Sequence, residues 1–487
     1  MSQRTKLLIL FLVAVQLLLI AGLLALPTVV RAIPGRYRVW LQENQPALSQ
    51  VTEGVIDQVA PVATALPAPA QAAASAVDIT SLIDSQSAVI GNDSEYGDLA
   101  PVSSGALAPA ATGQATAAPT LEPDVAPETQ ATPTVAVSPT PAPTATPAAT
   151  ATPMPLPPSA LLEGMGVVKQ SFNNCGPANL TQVLNWYGSD ITQADVAAYL
   201  KPNPEDRNVS PWQIADYVNE QMAGSGYKAI ARSGGDLEMI KRFIASGFPV
   251  VIEKGYDLPE SGWWGHYLTV YGYDDNLKEL YSQDSYLGPF DGSGRTDPYA
   301  EFTGFWQQFN NTFYVVYRAE QEETVRSILG EDMYDDFKMW QKVAAMAEEE
   351  TRQRPDDAFS WFNLGTALTR MGGLTGEARY YEGGAQAFDK SREIGLPPRM
   401  LWYQFQPYLA YLKLERYQDV VDLAKATLET QGGRNVEETF WYMGHALAYQ
   451  GDIQGAIDAY RQSLAVNENF YPAQWSLDSL TGGASGG

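Results

Sequence analysis

The sequence predicts an α+β domain joined to an all-α repeat region, with an apolar run and a low-complexity stretch ahead of them. Three observations carry this expectation. No lysine or arginine occurs between positions 39 and 168 of the 487-residue chain, a stretch dominated by Ala, Pro, Thr and Ser. Between 161 and 318, helix-spaced apolar residues come first and strand-like runs follow, the order of an α+β layout. Past about residue 320 strand character stops, and small and aromatic residues recur in paired helical segments.

The first segment, 1–38, reads as a membrane anchor with basic flanks. Residues 7–30 carry no charge, and at about 1.5 Å rise per residue the run can cross a roughly 30 Å hydrocarbon core. It is longer than the apolar stretch of a secretory signal and is not followed by a small-x-small cleavage site, so an uncleaved single-pass anchor is expected over a cleaved signal. Arg4 and Lys6 on one side face Arg31, Arg36 and Arg38 on the other, a balance that slightly favours a cytoplasmic body.

Residues 39–160 are expected to form a disordered linker. Their proline-spaced composition cannot bury enough apolar surface to offset the entropy of ordering, so they read as a stalk. Ser/Thr/Pro stalks are most useful outside the cell, and on that ground the bulk of the chain is placed outside, against the charge count. Residues 77–83 within it read as less disordered linker, with a short recognition or strand-forming segment as the alternative.

The domain expected over 161–318 opens with helices. Leu180, Val183, Leu184 and Tyr187 share one helical face, and Gly188 stops it; 191–200, 211–222 and 236–247 also read as helices, the last capped by Asp236 and ended by Gly247. Strands follow at 248–253, 266–273, 279–283 and 312–317, with a hairpin turn at 274–276. A helical connector fills 319–357, its core at 329–353.

From 358 to 487 three helix pairs are expected, around 361–388, 408–428 and 440–460, with a capping helix at 471–480. Phe440-Trp-Tyr-Met-Gly444-His445-Ala, followed by Gly451 and Ala456, is the clearest. The pattern resembles tetratricopeptide repeats, which implies a stack that recruits a protein partner. The second repeat departs from it, carrying Tyr408 in place of the glycine.

Cys175 is the only cysteine, and His266 and His445 are the only histidines. One thiol excludes a disulfide framework and a thiolate-rich zinc site. The loop 291–297 lacks the spacing of a Ca²⁺ site, and no metal or cofactor is expected. Five of the 31 basic residues precede the first acid, Glu43, so the rest of the chain sets 26 basic residues against 56 acidic ones. Such a body repels phosphates, which excludes nucleic acid and anionic lipid as partners of the body.

Cys175 lies in Gln170-Ser-Phe-Asn-Asn-Cys175-Gly-Pro-Ala-Asn-Leu180. Gly176-Pro177 suits a helix start, where the dipole favours a thiolate. His266 begins a strand in Gly262-Trp-Trp-Gly-His266-Tyr-Leu-Thr-Val-Tyr-Gly272, and His445 reads as packing within a repeat. Asp284 begins the loop after the next strand, where its carboxylate can orient the His266 ring. Gln170 can donate its amide to an oxyanion beside the Cys175 backbone N–H. Trp263 and Trp264 are candidate walls of a substrate cleft, with loop packing as the alternative.

Three blocks, Gln170 to Ala178, Gly265 to Tyr273 and Gln283-Asp284-Ser285, together resemble the bacteriocin-processing (double-glycine) cysteine peptidases and their stand-alone relatives, compact papain-like enzymes. The resemblance covers about 164–317. It implies Cys175 as nucleophile, His266 as general base, Asp284 as orienting residue and Gln170 as oxyanion donor, acting on a peptide or protein substrate. The exporter that accompanies transporter-borne members is not in this sequence, so double-glycine leader specificity is not implied. Two other classes stay open: a non-catalytic peptide-binding scaffold on the same fold, and an amidase or transpeptidase of cell-wall peptides.

Overall fold

In the computed structural model, which describes residues 65–70, 77–94, 96, 99–102, 155–258, 262–430 and 432–482 and isolated positions between 3 and 45, seven strands form one antiparallel sheet. They are β1 (Ser159–Leu161), β2 (Tyr227–Arg232), β3 (Val250–Leu258), β4 (Gly262–Asp274), β5 (Glu279–Gln283), β6 (Arg295–Pro298) and β7 (Phe313–Arg318), in the order β2-β7-β3-β4-β5-β6, with β1 on the far end of β4. The four strands expected from alternation are β3, β4, β5 and β7. Of the other three, β1 and β6 are short, with three and four residues, and β6 (Arg-Thr-Asp-Pro) has no apolar run to alternate. Where β1 pairs with β4, a Cβ on Gly272 would lie 2.6 Å from Leu161 Cδ1 and 2.9 Å from the Tyr281 ring, so a larger residue there would have to displace both side chains.

Successive strand residues face opposite ways, and each face has its own helices. Val251, Tyr267, Tyr314 and Val316 pack against α2 (Cys175–Trp186), α3 (Gln193–Leu200) and α4 (Pro211–Asp216). Val250, Ile252, Leu268, Val270 and Val315 pack against α5 (Leu237–Ala245), capped by Asp236 as expected. The helix expected over 211–222 divides, passing into a π-helical turn at Tyr217–Gln221. Next come α6 (Tyr299–Gln307), before β7, and the connector helices α7 (Glu322–Tyr334) and α8 (Asp336–Gln353).

The C-terminal region is helical: α9 (Ala358–Thr375), α10 (Ala378–Ile394), α11 (Gln406–Lys413), α12 (Tyr417–Glu429), α13 (Glu437–Tyr449), α14 (Ile453–Val466) and α15 (Tyr471–Thr481). The glycines of the first and third pairs lie under aromatic rings. A Cβ on Gly365 would come within 2.6 Å of Phe388, and one on Gly444 within 2.4 Å of Tyr460. Close helix approach is therefore what those small residues provide.

The linker expectation fails for the described residues upstream. The segment 77–83 holds a short helix, α1 (Ile79–Ile83), capped by Asp78, and Leu66, Leu82, Ile83 and Val102 are buried against the body. Asp93 accepts hydrogen bonds from the indoles of Trp212 (3.2 Å) and Trp340 (2.9 Å) and pairs with Arg370 at 3.2 Å. Both charged side chains are almost wholly buried, an arrangement that holds only while both partners are present. The body supplies the apolar surface and the partners that this stretch lacks by itself. Among the described residues no helix is long and apolar enough to cross a membrane, and most of the 7–30 run lies outside them.

Candidate active site

Cys175 is the first residue of α2, half-buried, with Asn174 before it making no side-chain cap. Asn173 takes a left-handed φ of 55°, a region that asparagine tolerates better than most residues. The chain therefore turns sharply ahead of the thiol, and Asn174 N donates to Ser171 O at 3.1 Å. A buried lysine holds this turn: Lys201 Nζ donates to Asn173 O (3.0 Å) and to Asp206 O (2.6 Å).

His266 stands near the start of β4, opposite Lys254 of β3. The register of β5 on β4, with Gln283 opposite Thr269, brings the residue after Gln283 to the His266 end of the strand. His266 Nε2 lies 3.0 Å from Asp284 Oδ1. Asp284 is fully buried; its Oδ1 also accepts from the backbone N–H groups of Tyr286 and Leu287, each at 2.8 Å, and its Oδ2 from the Tyr256 hydroxyl at 2.7 Å. Burial works against this carboxylate, but the His266 charge and these hydrogen bonds hold its pKa well below the usual range.

Burial lowers the affinity of His266 for a proton, yet Asp284 and then Cys175 more than reverse that, and its pKa is raised to about 9. Burial likewise disfavours the Cys175 thiolate. A hydrogen bond and charge from His266, the Tyr267 backbone N–H and the charge of Lys201 outweigh it, so the thiol's pKa falls below its ordinary 9.0. The arrangement favours a thiolate–imidazolium pair.

Gln170 is brought in by the loop after β5. Its backbone N–H donates to Ser285 O at 2.9 Å, and the Ser285 hydroxyl donates to its Oε1 at 2.8 Å. Cys175, His266, Asp284 and Gln170 thus meet in one place.

Trp263 and Trp264 do not line an open cleft. The Trp263 indole stacks on Phe309 at 5.7 Å, donates to Gln308 and meets Phe359 and Tyr403; Trp264 lies against Trp402 and under the guanidinium of Arg399. Both rings are taken up in packing between the sheet and the helical region, the alternative held open for them. Sequence reasoning missed Asn179, Tyr256, Lys201 and Ser285. Asn179 had a signal, a polar residue one turn after Cys175 among apolar positions; Tyr256 and Lys201 had none.

The helical region comes up to the nucleophile loop. The Arg207 guanidinium lies between Phe172 and Trp402, its backbone N–H donates to Asn435 O, and Asn208 donates to Tyr403 O at 3.3 Å. A Cβ on Gly265 would come within 3.0 Å of the Tyr403 ring.

The model of the Peptidase_C39 like family matches residues 163–314, about a third of the chain and the part that holds all four of these residues. This domain is similar to that cysteine-peptidase family. No curated protein matches the chain.

Proposed function

We propose that this protein is a cysteine peptidase that hydrolyses peptide bonds through Cys175, His266 and Asp284. The observation that carries the reading is the 3.0 Å contact of His266 Nε2 with buried Asp284, which leaves the other ring nitrogen for a thiol at a helix start. The Cys175 thiolate attacks the peptide carbonyl carbon, and the carbonyl oxygen takes the negative charge between the Gln170 amide and the Cys175 backbone N–H. His266 gives its proton to the leaving amine as the C–N bond breaks, producing a thioester. Water, deprotonated by His266, then attacks the thioester and the thiolate leaves with the acid product.

Supporting the wider reading, the glycine-under-ring contacts of α9–α10 and α13–α14 suit a tetratricopeptide-type stack that recruits a protein partner or substrate. The apolar run at 7–30 suits a membrane anchor, with the body outside the cell. Added protease that left the body of intact cells untouched would overturn the exterior placement.

The test of the chemistry uses the full chain, because residues 65–102 include parts packed on the body. Iodoacetamide should label Cys175 fast and well below pH 8, and Cys175→Ala should abolish cleavage of a mixed fluorogenic peptide library with unchanged circular dichroism. Slow labelling with an ordinary thiol pH profile would overturn it.

A further inference from the structure

Asn179 is buried on α2, one helical turn after Cys175, with both ends of its side-chain amide engaged. Its NH₂ group shares two protons among three acceptors, Cys175 O (2.9 Å), Tyr267 O (3.1 Å) and Ser285 Oγ (3.2 Å). Its Oδ1 accepts from the Thr269 hydroxyl at 2.7 Å. Two of those acceptors are backbone carbonyls, which cannot donate. They fix which end of the Asn179 amide faces which way.

That fixed end has a consequence two bonds further on. Asn179 Nδ2, 3.2 Å from Ser285 Oγ, can only donate, so the Ser285 hydroxyl proton cannot point at it and is left for another acceptor. It goes to Gln170 Oε1, 2.8 Å away. An amide whose oxygen is engaged on one side presents its NH₂ group on the other, and Gln170 Nε2 makes no hydrogen bond among the described residues. Were the Ser285 proton pointed elsewhere, the serine oxygen would accept from the Gln170 NH₂ instead. The amide would then show its oxygen to the site, where a developing oxyanion would be repelled.

We propose that Asn179 and Ser285 are positioning residues that set the polarity of the Gln170 amide, so that its NH₂ end faces the oxyanion. The inference rests on reading Cys175 as a nucleophile and Gln170 as its oxyanion donor. Neither Asn179 nor Ser285 is placed to touch the substrate in this role. They act through Gln170 by a chain of directed protons, Thr269 to Asn179 to Ser285 to Gln170.

The test separates oxyanion stabilisation from thiol reactivity, since alkylation by iodoacetamide forms no oxyanion. In the full chain, Ser285→Ala should lower kcat/KM on the peptide library by about 10-fold, less than the loss of an oxyanion donor outright. The rate and pH profile of Cys175 alkylation should stay as in the wild type. Ser285→Thr, which keeps the hydroxyl, should restore turnover, and in a Gln170→Ala background Ser285→Ala should cost nothing further. The proposal is overturned if Ser285→Ala leaves kcat/KM unchanged, if it slows alkylation in parallel, or if it costs as much without Gln170 as with it. A wild-type chain with slow labelling and no turnover would instead sink the peptidase reading itself, and this inference with it.

Discussion

The interior strand β4 and the core of the last helix pairs each bury one histidine, and the two imidazoles behave in opposite ways. His266 keeps 7% of its surface exposed and His445 none. The pKa of His266 is raised to about 9, whereas that of His445 is pushed down to about 3. Burial opposes the charged ring in both places. The difference lies in the neighbours. His266 has a buried carboxylate at 3.0 Å and a thiol on its other side; His445 has aromatic rings, Trp441 at 4.9 Å and Tyr460 at 5.6 Å, a serine hydroxyl at 3.4 Å, and the disfavouring charge of Lys413. A buried histidine is thus chemically poised only where the fold also buries an anion beside it.

Removing that anion should make His266 resemble His445, and this is the largest effect expected. In Asp284→Ala the His266 pKa, followed by NMR, should fall from about 9 toward its ordinary value or below. Turnover should drop by at least about 100-fold as the ring loses its orientation and its charge. Labelling of Cys175 should lose its low-pH reactivity in the same variant. In the wild type, activity should decline as pH rises through about 9, when His266 gives up the proton needed by the leaving amine. A His266 pKa that stayed near 9 without Asp284 would break the comparison.

The converse experiment reads stability. The folded-state pKa of His445 lies below its unfolded value, so the unfolded chain takes up a proton below about pH 6.5 while the folded one stays neutral down to about 3. Its contribution is present above that upper value and fades as pH falls toward the lower one. His266 has the opposite sign, contributing fully below pH 6.5 and losing its share as pH rises through about 9. His445→Gln should therefore flatten the acid side of a urea-unfolding profile between pH 6.5 and 3. It should cost about 1–2 kcal/mol at neutral pH as a core substitution and leave peptide turnover unchanged. An unaltered acid slope would show that other groups carry it.

Much of the site was legible because its chemistry sits in short blocks. Cys-Gly-Pro marks a helix start, Gly-His opens a strand, and Gln-Asp closes the next one, so antiparallel pairing of β4 with β5 does the rest. What could not be read was whatever depends on residues far along the chain. Trp263 and Trp264 look available beside His266 until Trp402, Tyr403 and Arg399 from the helical region claim their rings. Asp93 looks like one acid in a low-complexity stretch until Trp212, Trp340 and Arg370 surround it. Both misreadings have one cause, that composition describes a segment alone and packing describes it with its partners. The short strand β6 was missed for a related reason, since at a sheet edge backbone pairing to β5 suffices without an apolar pattern.

The smallest effect sharpens the comparison by asking what holds the anion in place. Asp284 Oδ1 takes the His266 ring and two backbone N–H groups, while Oδ2 takes only the Tyr256 hydroxyl at 2.7 Å. The two backbone donors belong to the turn that begins at Asp284 itself, so they persist whatever happens to Tyr256. Tyr256→Phe leaves one buried acceptor without its donor, a cost of about 1–2 kcal/mol in stability. A carboxylate less solvated on one side binds the His266 proton no less strongly, so the His266 pKa should not fall. Turnover should decrease by less than about 10-fold, against the much larger loss in Asp284→Ala. If Tyr256→Phe instead cost as much activity as Asp284→Ala and lowered the His266 pKa with it, the tyrosine and not the turn would be what holds the carboxylate on the ring.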